Sequence, residues 1–365
     1  MHTKGIGLNG AQTSHYLDHL ATICFIMEVP LLVVEASDAL LMRTYYPYTQ
    51  CLYTEYAHLS LEELVASYDV FYRSDLSDRD LFHQKYGLLE QKYRKKVRQV
   101  HCPHGFSDKS FYLKECARED IALIYGQNML DMLHREGVFK ELYSYVVVGN
   151  YRYTYFLQNR IFYDTLIEQK VLKKFDQQRP IILYAPTWLD AQHSTSFFDA
   201  TSHLIKNLPE KYNLIIKLHP RLELDAPAEC YALMGKYEGK KNILFLSEFP
   251  LVYPLLAHTD IYIGDTSSLG YDFLVFDRPL FFLNQDPTTQ NEKNNLLFHC
   301  GIEIFPSEYP RIYEIIENSL TTDSLYFKAI RKETYQYTFG QEKSFPTMAA
   351  EITSAILHPQ PITIK

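Results

Sequence analysis

No stretch of this chain approaches the ~20 consecutive apolar residues that a helix needs to span a bilayer, so any membrane role is expected to be peripheral. No secretory leader is expected at its start either. The six cysteines, Cys24, Cys51, Cys102, Cys116, Cys230 and Cys300, form no CxxC pair. Scattered thiols in a chain of this length fit a reduced, cytoplasmic protein. Positive charge is not in surplus either. A formal net charge of −8 argues against a dedicated nucleic-acid binder, which would carry a basic face. Repeats and low-complexity segments do not appear. What remains is a chain of 365 residues, 47% hydrophobic and 22% charged, which is the balance of a soluble globular protein. That length suggests two domains of ordinary size, each able to bury its own core.

The most informative stretch is Asp260–Asn284, DIYIGDTSSLGYDFLVFDRPLFFLN. Apolar Ile261–Ile263 reads as a short buried strand, followed by the turn Gly264-Asp265-Thr266-Ser267-Ser268. A helical run to Phe276 and a second strand, Leu280–Leu283, complete half of a doubly wound parallel sheet. Small hydroxyl residues at a helix start leave backbone N–H groups unpaired, and the helix dipole adds partial positive charge there, so a phosphate fits. Thr266, Ser267 and Ser268 serve equally as ordinary helix caps. Asp265 is expected to order the turn through its side chain, as Asp does in tight turns. Asp272, on the helix behind it, is read chiefly as fixing the loop.

Upstream, Pro180–Tyr184, Asn213–Leu218 and Ile243–Leu246 read as further strands, the second ending in His219-Pro220-Arg221. Strands of the first half are expected at Leu31–Glu35, Gln50–Thr54, Asp69–Arg73, Val97–Cys102, Ile121–Tyr125 and Tyr145–Val148. Helices are expected over Asp80–Lys96 and through Tyr151–Phe175. Beyond Glu308 the chain reads as helical to Leu357, with Pro346 as a break. His104, in Pro103-His104-Gly105 after a strand, points into the crevice where parallel sheets bind ligands. GIGLNG, Gly5–Gly10, matches GxGxxG, but too few residues precede it for the usual strand, so it reads as a loop entering a helix. That helix carries His15 and His19 one turn apart. HxxxH can bind a metal, but no third ligand accompanies it, so a pair of cleft-facing histidines is expected and no metal. The basic run Lys92–Arg98 reads as a solvated helix end, with contact to anionic lipid as the sharper alternative.

Taken together, IILYAPTWLD (Ile181–Asp190), LIIKLHPR (Leu214–Arg221), DIYIGDTSSLGYDFLVFDRP (Asp260–Pro279) and PHGFSDK (Pro103–Lys109) resemble the CDP-glycerol glycerophosphotransferases, which build teichoic-acid-like polymers. The resemblance implies an α/β, GT-B-like fold of two Rossmann-like doubly wound domains facing a cleft. Residues 1–165 form the acceptor side and 166–340 the donor side, with a C-terminal helix, 341–365, packing back on the first domain. It implies a CDP-linked donor as the nucleotide ligand and no other certain cofactor. A lipid-linked or saccharide acceptor is implied too, met in the cytoplasm or peripherally at the inner face of the cell membrane. By position, His104 matches the base on the acceptor hydroxyl, His219 the histidine near the donor pyrophosphate, and Thr266, Ser267 and Ser268 the phosphate turn. Asp265, Asp272, Lys109, Thr187, Arg221, His15 and His19 are assigned to the cleft or to ordering the site. The chain departs from the family pattern at Phe106-Ser107-Asp108, at Leu189 and around Gly340–Thr353. Two other classes stay open: a sugar-nucleotide glycosyltransferase or UDP-N-acetylglucosamine 2-epimerase-like enzyme, and a catalytically silent nucleotide-binding module.

Overall fold

A computed structural model describes residues 3–75, 79–109, 119–189, 195–237, 239–247, 249–286 and 295–358. Cys116, Asp190 and Glu248 of the stretches above lie outside the described residues. The chain divides into two compact units, 1–155 with 337–365, and 156–336. It crosses between them within the helix Tyr151–Gln158 and returns within the helix Asp323–Phe339. The first crossing comes earlier than the boundary at 165 read from the sequence. The last residues of the chain, 337–365, are grouped with the first unit, where Phe345 of the helix Phe345–Leu357 meets Phe25 edge-on at 6.0 Å.

The first unit holds a seven-stranded sheet in the order β3-β2-β1-β4-β5-β6-β7. Its strands are β1 (Gly5–Asn9), β2 (Leu31–Val33), β3 (Cys51–Tyr53), β4 (Val70–Arg73), β5 (Arg98–His101), β6 (Ile121–Ile124) and β7 (Tyr145–Val147). Neighbours pair in parallel throughout. The strand order reverses between β1 and β4, the kind of place where doubly wound sheets bind ligands. The loop expected at Gly5–Gly10 is therefore corrected: Gly5–Asn9 is β1, at the middle of the sheet. Glycines weaken strand propensity, but a Cβ at Gly7 would lie 2.3 Å from Cys24 Sγ. Close approach of the helix Leu17–Ile26 to β1 demands glycine there, and tertiary packing overrides local preference.

The second unit holds a six-stranded sheet in the order β10-β9-β8-β11-β12-β13. Here β8 is Ile181–Ala185, β9 Asn213–Lys217, β10 Ile243–Leu246, β11 Ile261–Gly264, β12 Leu280–Leu283 and β13 Ile302–Ile304. All pairs are again parallel, and the reversal falls between β8 and β11. Strands buried on both faces read as continuous apolar runs, and Ile182, Tyr184, Leu214, Ile216, Ile261, Ile263, Phe281 and Leu283 join one core. β13 was not foreseen: three residues are too few for a periodic signal. The C-terminal helical region is three helices, Ile312–Ser319, Asp323–Phe339 and Phe345–Leu357. Pro346 stands in the first turn of the last, where its missing N–H costs nothing, and Ser344 caps that helix by accepting from Thr347 N at 3.3 Å.

The basic run is matched by carboxylates. Lys92 pairs with Glu62, Lys95 with Asp69 at 3.2 Å, Lys96 with Glu90 at 3.4 Å and Arg98 with Asp120 at 3.7 Å. Such surface pairs contribute little to stability. They do neutralise the patch, which favours the solvated helix end over a lipid-binding surface.

Candidate active-site residues

In the second unit the turns after β8, β9 and β11 stand at the carboxyl ends of adjacent strands. Asp265, directly after β11, is buried. Its Oδ1 accepts from the amide of Thr187 at 2.7 Å, after β8, and its Oδ2 from the amide and the hydroxyl of Ser196, both at 3.0 Å. Tyr184 OH and Ser196 Oγ, 2.8 Å apart, extend this network. One carboxylate thus ties two loops on either side of the strand reversal. Charge-assisted bonds of this kind are the stronger ones. Its own carbonyl accepts from Ser267 N at 2.7 Å, tightening the turn.

Ser267 is the extended N-cap of the helix Ser268–Phe273, which continues as a 3₁₀ turn over Leu274–Phe276. Ser267 is buried, whereas Thr266 and Ser268 are half-buried. Asp272 is buried and accepts from Tyr253 OH at 2.7 Å, anchoring the helix to its neighbour Tyr253–Ala257. After β9, His219 caps the helix Pro220–Asp225, its Nδ1 accepting from Arg221 N at 3.2 Å. That bond puts the proton of a neutral His219 on Nε2. The Arg221 guanidinium lies 4.5 Å from the centroid of Trp188, the only Trp of the chain, and ion-pairs Asp225 at 3.5 Å. Thr187, Arg221, Asp265 and the Ser267 turn are thereby joined side by side. Sequence reasoning had assigned nothing to Ser196 or to the Tyr184 hydroxyl. Ser196 follows residues with no periodic pattern, and Tyr184 reads only as a strand residue.

In the first unit His104 follows β5, half-buried, in the turn Pro103–Gly105. Its ring is 4.9 Å from that of Tyr16 and 6.4 Å from that of His101. His15 stands in a separate 3₁₀ turn, Ser14–Tyr16, ahead of the helix Leu17–Ile26 that bears His19, so the two do not share one helix as expected. His15 packs on Tyr16 at 4.0 Å, within this same cluster. His19 is buried, with Nδ1 3.2 Å from Tyr125 OH. Burial, with the cationic Arg152, His104 and His15 nearby, holds its pKa well below the ordinary histidine value. Arg152 is itself buried against Asp18 at 3.0 Å, and Asp18 also accepts from Tyr46 OH at 3.0 Å. Lys109 lies half-buried further along the His104 loop. Among the described residues no group of three or more His, Cys, Asp or Glu could hold a metal ion. None of their helices is long and apolar enough to cross a membrane.

At the end of β1, Asn9 Nδ2 donates to Asp38 Oδ2 at 2.8 Å. Burial, reinforced by Glu35 and opposed by the Asn9 bond, pushes Asp38 up to about 6. A carboxyl raised on folding binds its proton more tightly in the native state. Its stabilising contribution is therefore full below the unfolded value near 4 and is lost as pH rises through about 6. Asp38→Asn should stabilise the protein at pH 7.5 by on the order of 1–3 kcal/mol and give no gain at pH 4. Thermal melts of both proteins at the two pH values check this, and equal gains would contradict the burial argument.

Residues 162–318 match the family described as CDP-Glycerol:Poly(glycerophosphate) glycerophosphotransferase. The teichoic acid glycerol-phosphate primase of Bacillus spizizenii is 32% identical over 130 residues, 35% of this chain and 31% of that protein. The Bacillus subtilis primase is 30% identical over 153 residues, 42% of this chain and 38% of that protein. The matched stretches thus span less than two fifths of either relative. Among solved structures, the wall teichoic acid polymerase TagF superposes with a TM-score of 0.67 at 15% identity, covering 97% of this chain and 89% of that one. Anabaena HepE, solved with UDP-glucose, gives 0.53 at 12% identity, covering 98% of this chain and 100% of that one. At such identities these likenesses show the shared two-sheet α/β fold. The stretch that matches this family, 162–318, carries the His219 and Asp265–Ser268 turns.

Proposed function

We propose that this protein transfers a glycerol-phosphate or related alditol-phosphate group from a CDP-activated donor to an acceptor hydroxyl in the synthesis of a cell-envelope glycopolymer. The observation that carries this reading is the family match over 162–318, which takes in the turns after β9 and β11. The primase names of the relatives and a TagF crystal soaked with CDPG support the donor class.

In this mechanism the acceptor oxygen attacks the β-phosphorus of the donor. The bond from that phosphorus to the bridging oxygen breaks, CMP leaves with that oxygen, and a phosphodiester forms. His104 takes the acceptor's proton and passes it to solvent. The amides and hydroxyls of Thr266, Ser267 and Ser268 meet the donor phosphates, aided by the positive end of the helix behind them. Nε2–H of His219 donates to a pyrophosphate oxygen, and Arg221 adds positive charge beside it. The acceptor is lipid-linked or a saccharide, reached at the cytoplasmic face of the membrane.

Incubation with CDP-glycerol, CDP-ribitol and UDP-sugars tests this reading. CMP release is expected. UDP release would instead indicate glycosyl transfer, an outcome given weight by the fold shared with HepE, and binding without release would indicate a silent module. The phosphate turn has its own test. Replacing Ser267 and Ser268 together with Ala should abolish most of the thermal shift produced by CDP, since a ligand that binds only folded protein stabilises it by mass action. An undiminished shift would reduce those serines to a helix cap.

A further inference from the structure

Tyr125 follows β6, buried, stacked on Tyr151 with ring centroids 6.0 Å apart and edge-on to Phe339 at 5.5 Å. Its ring position is set by this packing, and three groups of this turn and its neighbours lie within hydrogen-bond distance of its hydroxyl. The Gly105 amide donates to it at 3.1 Å, the Pro103 carbonyl is 3.2 Å away, and His19 Nδ1 is 3.2 Å away. Pro103 and Gly105 flank His104. We propose that Tyr125 and His19 are positioning residues for His104, clamping the turn that presents its imidazole. This rests on the reading of His104 as the base.

The arrangement follows from hydrogen-bond valence. A carbonyl oxygen only accepts, so the single hydroxyl proton of Tyr125 goes to Pro103. An amide N–H only donates, so Gly105 uses a lone pair of that hydroxyl. With all three contacts made as hydrogen bonds, His19 Nδ1 is the donor to the second lone pair. His19 is thereby the tautomer with its proton on Nδ1. Burial keeps that ring neutral, with Arg152, His104 and His15 opposing a second proton and Asp18 committed to Arg152. A neutral, directional donor suits this place, because it orients the hydroxyl without adding charge beside His104. Tyr151 OH, at the start of the helix Tyr151–Gln158, also donates to the Pro103 carbonyl at 3.2 Å, so the clamp closes from two elements. Gly105 has φ +114°, a backbone region that other residues rarely adopt. The turn therefore depends on tertiary bonds to keep its shape.

Tyr125→Phe preserves the ring packing and removes the hydroxyl alone. Misplacement of a base by a fraction of its bond length lowers the chemical step, not donor binding. The kcat for CMP release should fall about 10–100-fold with the donor KM unchanged. In a His104→Ala background the same substitution should cost nothing further, because its effect runs through the base. Equal losses in both backgrounds would overturn the proposal. A second arm needs no turnover. ¹⁵N-histidine spectra, assigned with His19→Gln, should show His19 protonated at Nδ1 and neutral, and Gly105 amide exchange should accelerate in Tyr125→Phe. His19 protonated at Nε2, or unchanged Gly105 exchange, would also overturn it. Should the wild type release no CMP, the functional reading fails while these spectra still decide the clamp.

Discussion

His104→Ala is expected to lower turnover by ~10²–10⁴, the usual cost of removing a general base, while donor affinity stays within about twofold of wild type. The residue stands in the first unit, whereas the donor is assigned to turns of the second, so its loss affects proton removal and leaves the nucleotide contacts in place. His219→Ala should behave differently. In the proposed mechanism its Nε2–H donates to the pyrophosphate in the ground and transition states alike, so donor binding should weaken along with turnover. Titration calorimetry with CDP-glycerol, beside CMP-release rates, separates the two patterns. The pH dependence adds a check: the acidic limb of kcat/KM should flatten in His104→Ala if that imidazole must lose a proton before it can act. Loss of donor binding in His104→Ala, with turnover per bound complex retained, would transfer the base to another member of the His15, His19 and His101 cluster.

The second large effect is expected at Asp265. Replacement by Ala strips the acceptor from two backbone amides, Thr187 and Ser196, and from the Ser196 hydroxyl. A buried donor left without a partner costs about 1–3 kcal/mol, and bonds to a charged group lie at the upper end. Relief from burying the carboxylate offsets part of this, leaving a net loss on the order of 3 kcal/mol. For a unit of this size that lowers the melting temperature by roughly 6–12 °C. Because Asp265 also shapes the turn that leads to Ser267, the thermal shift given by CDP should shrink as well. Asp265→Asn is the more pointed variant. It keeps one carbonyl oxygen for Thr187 but turns an NH₂ toward the Ser196 amide, donor against donor. A melt within about 1 °C of wild type for both variants would show that the turn keeps its shape without this carboxylate.

The alternation of buried strand, polar turn and helix was legible in the second unit because parallel strands covered on both faces leave unbroken apolar runs. Asn213–Lys217 and Leu280–Leu283 need no context to be seen, and the motif residues His219 and Asp265–Ser268 follow strand ends directly. The first unit was harder to read. β1 carries two glycines, and its strand character comes from neighbours that pack against it, not from its own propensity. The one-helix reading of His15 and His19 failed for a related reason. A 3₁₀ turn over Ser14–Tyr16 precedes the helix and re-aims His15, and a spacing of four residues does not distinguish one helix from a turn followed by another.

By itself the amino-acid sequence determined the class of fold, most strands of the second unit and the turns that carry His104, His219 and the serines. Those are properties of short stretches, written as periodicity and turn chemistry. The tertiary structure alone decided which side chains serve those turns. Tyr125 reaches the Gly105 amide across 20 residues, and Asp265 reaches Ser196 across 69. No local period encodes such pairs; they exist because sheet order sets β6 beside β5 and β11 beside β8, bringing distant loops to a common edge.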